Sequence, residues 1–323
     1  MKLVSWFAAV VVASDPLQAK FVEWAQQYNK TYSVDETFHR FQIWKANLAD
    51  IEEHNAGNHS WTKGMNKFGD LTGAEFKKLM TRPQGGYTRK FTGKPYEGNA
   101  TLDSIDWREK GAVTSVKDQG NCGSCYTFSA AAALEGTNFV KNGELYDLSE
   151  QQLIDCDTKE NDGCDGGLEV WAYEDYVEPN GGLCKLDEYG PYKAKKGSCK
   201  DKDCKAYAPI KGVTEVKKGE GNLAAALEEH PSAVGVEAAD NVWQFYSSGV
   251  ADGKCGTQID HGVTAVGFGT TSTIDYWIIK NSWGKDWGED GYIRLAKAGH
   301  GKTYNGKSGQ CGVSAEPCFP ISK

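Results

Sequence analysis

The chain has 323 residues, 39% hydrophobic and 25% charged, with 36 basic against 44 acidic residues and a formal net charge of −8. That length fits about two ordinary domains with a large core, and the composition excludes a collagen, a coiled coil and a polybasic nucleic-acid binder. No run of 18 apolar residues occurs, so no membrane-spanning helix is expected; ten cysteines point to an oxidising compartment.

The first element is an apolar run from Leu3 to Ala13 behind Lys2, which reads as a secretory signal peptide over residues 1–13. Sequons for N-glycosylation stand at Asn29, Asn58 and Asn99, all in the front third of the chain. Charge divides the chain at the same place. Residues 1–101 carry a net +3 and residues 102–323 a net −11. Opposite fields of this kind favour docking of one part on the other.

Within the front segment, Phe21, Trp24, Ala25 and Tyr28 recur at helical spacing. A second helix is expected from about Asp35 to His54, with Phe38, Phe41, Leu48 and Ile51 along one side. It also carries a row, Glu36, Arg40, Trp44, Asn47, Ile51 and Asn55, in which Glu36 and Arg40 form an i,i+4 ion pair. Such a row suits a helix whose crossing with another is set by paired charges. Gly64, Asn66, Phe68 and Asp70 alternate as they would on one side of a strand. Residues 81–98, rich in Gly, Pro, Thr and Lys, read as an extended linker.

The chemistry concentrates after residue 118. In Gln119-Gly-Asn-Cys122-Gly-Ser124-Cys125-Tyr126, small residues precede an alanine-rich helix in which Ser124 is the expected N-cap and Cys125 lies in the first turn. The partial positive charge of a helix start favours a thiolate. His261 opens an apolar strand-like run, and Asn281 ends another, followed by Ser282-Trp283-Gly284. An Asn can hold one imidazole nitrogen and leave the other for the thiol. The Cys122-x-x-Cys125 pair is also compatible with a redox dithiol or half a zinc site, although no thioredoxin-like pattern and no second C-x-x-C accompany it. The spacing of His261 and Asn281, 136 and 156 residues after Cys125, fits the Cys, His, Asn order of a thiol-protease signature.

On these motifs the chain resembles papain-like cysteine proteases, and more closely their cathepsin L-like branch. The row from Glu36 to Asn55 is similar to the branch's propeptide motif, with Trp44 where Phe is usual; the Gly64-to-Asp70 series is similar to its second motif. The resemblance implies an α+β, two-lobe fold, one lobe helical and one β-barrel-like, preceded by a small helical propeptide. The expected divisions are a signal peptide at 1–13, an inhibitory propeptide at 14–100 and a peptidase domain at 101–323. It implies Cys125 as nucleophile, His261 as general base and acid, Asn281 as orienter, and Gln119 with the Cys125 N–H as oxyanion hole. A resting thiolate–imidazolium pair, covered by Trp283, follows. Tyr126 stands where the family usually has Trp.

The resemblance also implies the disulfides Cys122–Cys164, Cys156–Cys199 and Cys255–Cys311. Cys184 and Cys204 are expected to pair, leaving Cys318 buried or free near the pocket. Gly166 and Gly167 are expected to pair with a substrate backbone. Leu168, Glu169, Asp260, Gly262, Trp283 and Glu316 are assigned to substrate binding, with a P2 preference for hydrophobic or basic residues. Helices are expected from Ser124 to about Tyr176, with a capping box at Ser149 and Gln152, and strands after about Val234. The expected activity is endopeptidase, since no blocking-loop insertion is present. No cofactor, metal, nucleic acid or membrane contact is implied. Expected partners are polypeptide substrates, the chain's own propeptide and cystatin-type inhibitors, for a monomer in the lysosome, vacuole or extracellular space. Acid is expected to loosen the propeptide and permit cleavage near residues 98–102. A catalytically silent homologue and a different thiol acyl-transfer enzyme remain alternatives.

Overall fold

A computed structural model describes residues 15–80, 82, 83, 91, 93–239 and 241–323. The expected signal peptide and part of the 81–98 stretch lie outside the described residues. Among the described residues, no helix is long and apolar enough to cross a membrane.

The front segment begins with helix α1 (Leu17–Gln27) and the longer α2 (Val34–Ala56). Ser33 starts α2 by accepting the Glu36 N–H, one of the donors that a helix start leaves without an intrahelical partner. The two helices close a small aromatic core of Phe21, Trp24, Phe41 and Trp44. Phe38, expected on the inner side, is instead 69% exposed, because α2 turns its Phe41–Trp44–Ile51 stripe inward. Strand β1 (Trp61–Lys63) and the short helix α3 (Gly73–Lys77) complete the segment. The Gly64-to-Asp70 series is not a strand. Backbone extension ends at Lys63, and residues 67–70 form a turn.

The polar row on α2 is explained by that turn. Glu36 and Arg40 pair at 3.3 Å, but Arg40 also reaches the Asp70 carbonyl and the Glu75 carboxylate, each at 2.9 Å. Asn47 Nδ2 donates to the carbonyls of Gly69 and Leu71, and Asn55 bonds both ways with the Lys63 backbone. The row therefore satisfies the backbone of an irregular loop rather than a second helix, as buried peptide groups require.

The remainder divides into a helical and a sheet lobe. After the two-residue strand β2 (Ile105–Asp106), helix α4 (Cys125–Asn142) runs through the helical lobe, buried along most of its length, with α5 (Glu150–Cys156) beside it. Four alanines in α4 let neighbouring elements approach closely. Ser149 caps α5, but the capping box is half formed. The Gln152 side chain bonds Tyr176 Oη and the Cys184 N–H instead of reaching back.

The sheet lobe contains β3 (Ile210–Glu215), β4 (Ser232–Val236), β5 (Tyr246–Ala251), β6 (His261–Thr270), β7 (Asp275–Lys280), β8 (Tyr292–Lys297) and β9 (Cys318–Ser322). Their order is β1-β5-β8-β7-β6-β4-β9-β3, with β2 on β6. Thus β1 of the front segment adds an antiparallel edge strand, Trp61 opposite Gly249. A side chain at Gly249 would meet the Ser60 carbonyl at 2.4 Å, so this pairing needs glycine.

All four expected disulfides are present: Cys122–Cys164, Cys156–Cys199, Cys184–Cys204 and Cys255–Cys311. Cys125 and Cys318 remain thiols; Cys318 is buried in the helical-lobe core near Ala233. With Cys122 bonded to Cys164, the Cys122-x-x-Cys125 dithiol and zinc readings fall away.

Candidate active site

The site lies where the two lobes meet. Cys125 is the first residue of α4, and His261 the first residue of β6. The N–H of Gly262 donates to Cys125 Sγ at 3.4 Å, which sets the sulfur beside the residue following His261. His261 Nε2 bonds Asn281 Oδ1 at 2.9 Å, while Nδ1 is buried with no hydrogen-bond partner. An amide oxygen can only accept, so Nε2 carries the proton and Nδ1 has the free lone pair. The Trp283 ring stacks on the imidazole with centroids 4.8 Å apart and shields the His261–Asn281 bond.

Gln119 comes to the same place. Its Nε2 donates to the Cys122 carbonyl at 3.0 Å, and its Oε1 accepts from Ser282 Oγ at 2.6 Å. The amide is thereby oriented, with one N–H still available to an oxyanion. Ser282 was not among the expected site residues. Its position directly after Asn281 was the available signal, and the cross-lobe contact to Gln119 could not be read from chain order. Ser124 occupies the N-cap position without capping. Its hydroxyl pairs with Tyr192 Oη, which donates to the Gln119 carbonyl.

Burial governs the charge state. It pushes the Cys125 thiol up to about 12, against the opposing Gly262 N–H, and pulls the His261 imidazole down to about 4, against the Asn281 bond. Burial thus disfavours the charged form of each partner, the thiolate and the imidazolium. Both side chains are about 1% exposed, so neither ion is solvated.

Behind the site a second set of polar contacts ties the lobes. Lys280 Nζ of β7 donates to Thr114 Oγ1, whose hydrogen goes to Glu135 of α4, and Lys117 pairs with Glu150 of α5 at 2.6 Å. Burial raises the Glu150 carboxyl to about 7, although Lys117 opposes it.

The expected substrate residues gather in part. Gly167 lies so close to Asn161 that a side chain would meet Asn161 Oδ1 at 2.1 Å, and Gly166 has φ 113°, a conformation that favours glycine. Leu168 is fully buried in the helical-lobe core, its N–H bonded to Asn161 Oδ1, so its side chain does not line the pocket. Glu169, Gly262 and Glu316 do converge, and Arg82 of the front segment lies among them. Arg82 Nη2 is 3.4 Å from Glu169 and Nη1 is 3.1 Å from Glu316, while its N–H donates to the Asp260 carbonyl. The Asp260 carboxylate faces the other way and receives the Ala238 N–H. Burial raises it to about 6.

Phe68 and Phe76 of the front segment make edge contacts with Trp283, at 5.3 and 5.5 Å. The front segment thus covers the very ring that covers His261.

Residues 101–321 match the model of the papain family of cysteine proteases, and residues 21–76 that of the cathepsin propeptide inhibitor domain. The chain is a papain-family cysteine protease zymogen. It is 44% identical over 315 residues to the cysteine protease XCP2 of Arabidopsis thaliana, covering 95% of this chain and 86% of the relative. It is 43% identical to the senescence-specific cysteine protease SAG39 of Oryza sativa subsp. indica, covering 95% and 91%. Among solved structures it is similar to a recombinant stem bromelain precursor, with TM-score 0.84, 39% identity and coverage of 95% and 99%. It is also similar to the digestive procathepsin L 3 of the Tenebrio molitor larval midgut, with TM-score 0.83, 35% identity and coverage of 95% and 100%. The zymogen's front segment is its inhibitory propeptide.

Proposed function

We propose that the mature enzyme is an endopeptidase that cleaves through a Cys-His-Asn mechanism and a thioester acyl-enzyme. The observation that supports this reading is the meeting of Cys125, His261, Asn281 and Gln119 at one point between the lobes. Departure of the propeptide admits water and lowers the desolvation that disfavours the charged pair. The Cys125 proton then passes to His261 Nδ1, and the Asn281 bond stabilises the imidazolium. The thiolate attacks the peptide carbonyl. The developing oxyanion takes the Gln119 amide and the Cys125 N–H, His261 protonates the leaving amine, and water releases the acyl group. The pocket of Glu169, Gly262 and Glu316 receives the P2 side chain, basic or hydrophobic.

Activation is acid-triggered in this reading. Burial opposes ionisation of Glu228, but the N–H groups of Leu102 and Thr101 outweigh it and hold the carboxyl below 4.5. Glu75 follows the same pattern through Thr72 and Arg40. A carboxyl depressed in the folded state stabilises it above its unfolded pKa, and this stability is lost as pH falls through the folded value. Acid below about pH 4.5 therefore loosens both the propeptide hub and the junction near residues 98–102. Burial also depresses His54, which stacks on His59 at 4.1 Å. Protonating it on descent below pH 6.5 costs stability in the same direction.

The proposed route is the secretory pathway to a lysosome, vacuole or the cell exterior. The apolar start, four disulfides and exposed sequon asparagines support it. The precursor, acidified and then offered a thiol-directed epoxide, should bind it at Cys125 with loss of peptidase activity, while untreated precursor at neutral pH should label slowly. Absence of labelling after propeptide removal refutes the mechanism.

A further inference from the structure

The pocket beside the nucleophile contains a carboxylate that the fold has buried without completing its bonds. Glu169 is 2% exposed, and its Oε1 has no hydrogen-bond partner. It reaches the pocket only because Gly262 has no side chain, since a Cβ there would meet Oε1 at 2.3 Å. The opposite wall is relieved in the same way. A Cβ on Gly235 would lie 3.1 Å from Arg82 Cζ. Glu316 closes the outer end, with a quarter of its side chain exposed. The guanidinium of Arg82, itself almost fully buried, bridges the two acids through different nitrogens.

We propose that Glu169 is the residue that makes this pocket selective for arginine, and that Arg82 of the propeptide is its built-in occupant, holding the site as an arginine side chain of a substrate would. The proposal rests on the protease reading and narrows its P2 preference from basic or hydrophobic to arginine first. The reasons are the cost of an unpaired buried charge and the shape of the cation. A pocket filled by an apolar side chain leaves the Glu169 carboxylate covered without a counter-charge. A planar fork can engage both acids at once, whereas a lysine ammonium is a single point that must choose between them. Glu316, being partly solvated, contributes less.

The test uses the full-length precursor, acid-activated, with fluorogenic dipeptide amides differing only at P2: Arg, citrulline, Lys and Leu. Citrulline keeps the shape of arginine and removes its charge. In the wild-type enzyme kcat/KM for Arg should exceed that for citrulline on the order of thirtyfold, the range for one charge-assisted buried contact. Glu169→Gln should lower the Arg-to-citrulline ratio about tenfold or more, and Glu316→Gln about two- to threefold. The wild-type ratio requires no variant to fold. Equal rates for Arg and citrulline in wild type overturn the proposal, as does an Arg-to-citrulline ratio in Glu169→Gln equal to that of wild type. Cleavage of Leu alone with epoxide labelling of Cys125 overturns it while the protease reading stands; no cleavage and no labelling overturn both. For the propeptide arm, Arg82→Leu precursor should alkylate at Cys125 faster than wild type at neutral pH. An unchanged rate overturns the role given to Arg82.

Discussion

The propeptide and the peptidase domain are held together by different means. The peptidase has two large apolar cores and all four disulfides, three in the helical lobe and one beside the sheet. The propeptide has one aromatic cluster of its own, Phe21 with Trp24, Phe41 and Trp44. Its other buried aromatics, Trp61, Phe68 and Phe76, belong to the enzyme's core cluster with Trp243, Trp283 and Trp287. The inhibitor therefore borrows part of its hydrophobic stabilisation from the enzyme, and its loop from Lys63 to Glu75 is held by the hydrogen bonds and ion pairs of Arg40, Asn47 and Asn55. The ion pairs among these contacts depend on the charge of their carboxylates, whereas the disulfides of the peptidase domain do not.

The contrast can be broken at the enzyme side first. Cys125→Ala should abolish peptide hydrolysis and self-processing, a loss of about 10⁴-fold or more in kcat, while the circular dichroism spectrum is retained. Reduction of Cys122–Cys164, or its replacement by alanines, should cost about 2–5 kcal/mol by thermal or denaturant unfolding, in the domain that the bond crosslinks. On the propeptide side, Phe76→Ala removes a ring that is 1% exposed and packed on Phe68 and Trp283. It should cost about 3–4 kcal/mol of docking, read as earlier maturation at neutral pH. Asn47→Ala leaves the Gly69 and Leu71 carbonyls without their donor and should weaken docking by about 1–3 kcal/mol, read by the inhibition constant of the free propeptide. The smallest effect is expected at the junction. Glu228→Gln removes a carboxylate whose ionisation clamps Thr101 and Leu102, so the pH at which half the precursor matures should move upward; an unchanged midpoint excludes the clamp.

Much of the site was legible before any coordinates. Cys125, His261, Asn281 and Gln119 lie in short segments whose chemistry is local; three of the four cysteine pairings followed from the resemblance, and Cys184 with Cys204 was expected as a pair beyond it. Where expectation missed, a distant contact had overridden a local pattern. Gly64 to Asp70 alternates like a strand, yet Asn66 turns its amide to the Gln244 carbonyl and its oxygen to the Phe68 N–H, and the chain reverses there. Ser149 and Gln152 have the spacing of a capping box, but Gln152 finds better partners in Tyr176 and Cys184. Ser124 likewise prefers Tyr192 to its own helix.

By itself the sequence determined the order of propeptide and peptidase, the helix that begins at Cys125, and which residue types are candidates for the chemistry, because capping, periodicity and motif spacing act over a few residues. Only the tertiary structure decided that Ser282 aims Gln119, that Phe68 and Phe76 pack on Trp283, and that Arg82 from a stretch read as plain linker pairs with two carboxylates. It also decided that the Cys125 thiol and the His261 imidazole sit where burial disfavours their charged forms, since desolvation depends on what packs around a group and not on its neighbours along the chain.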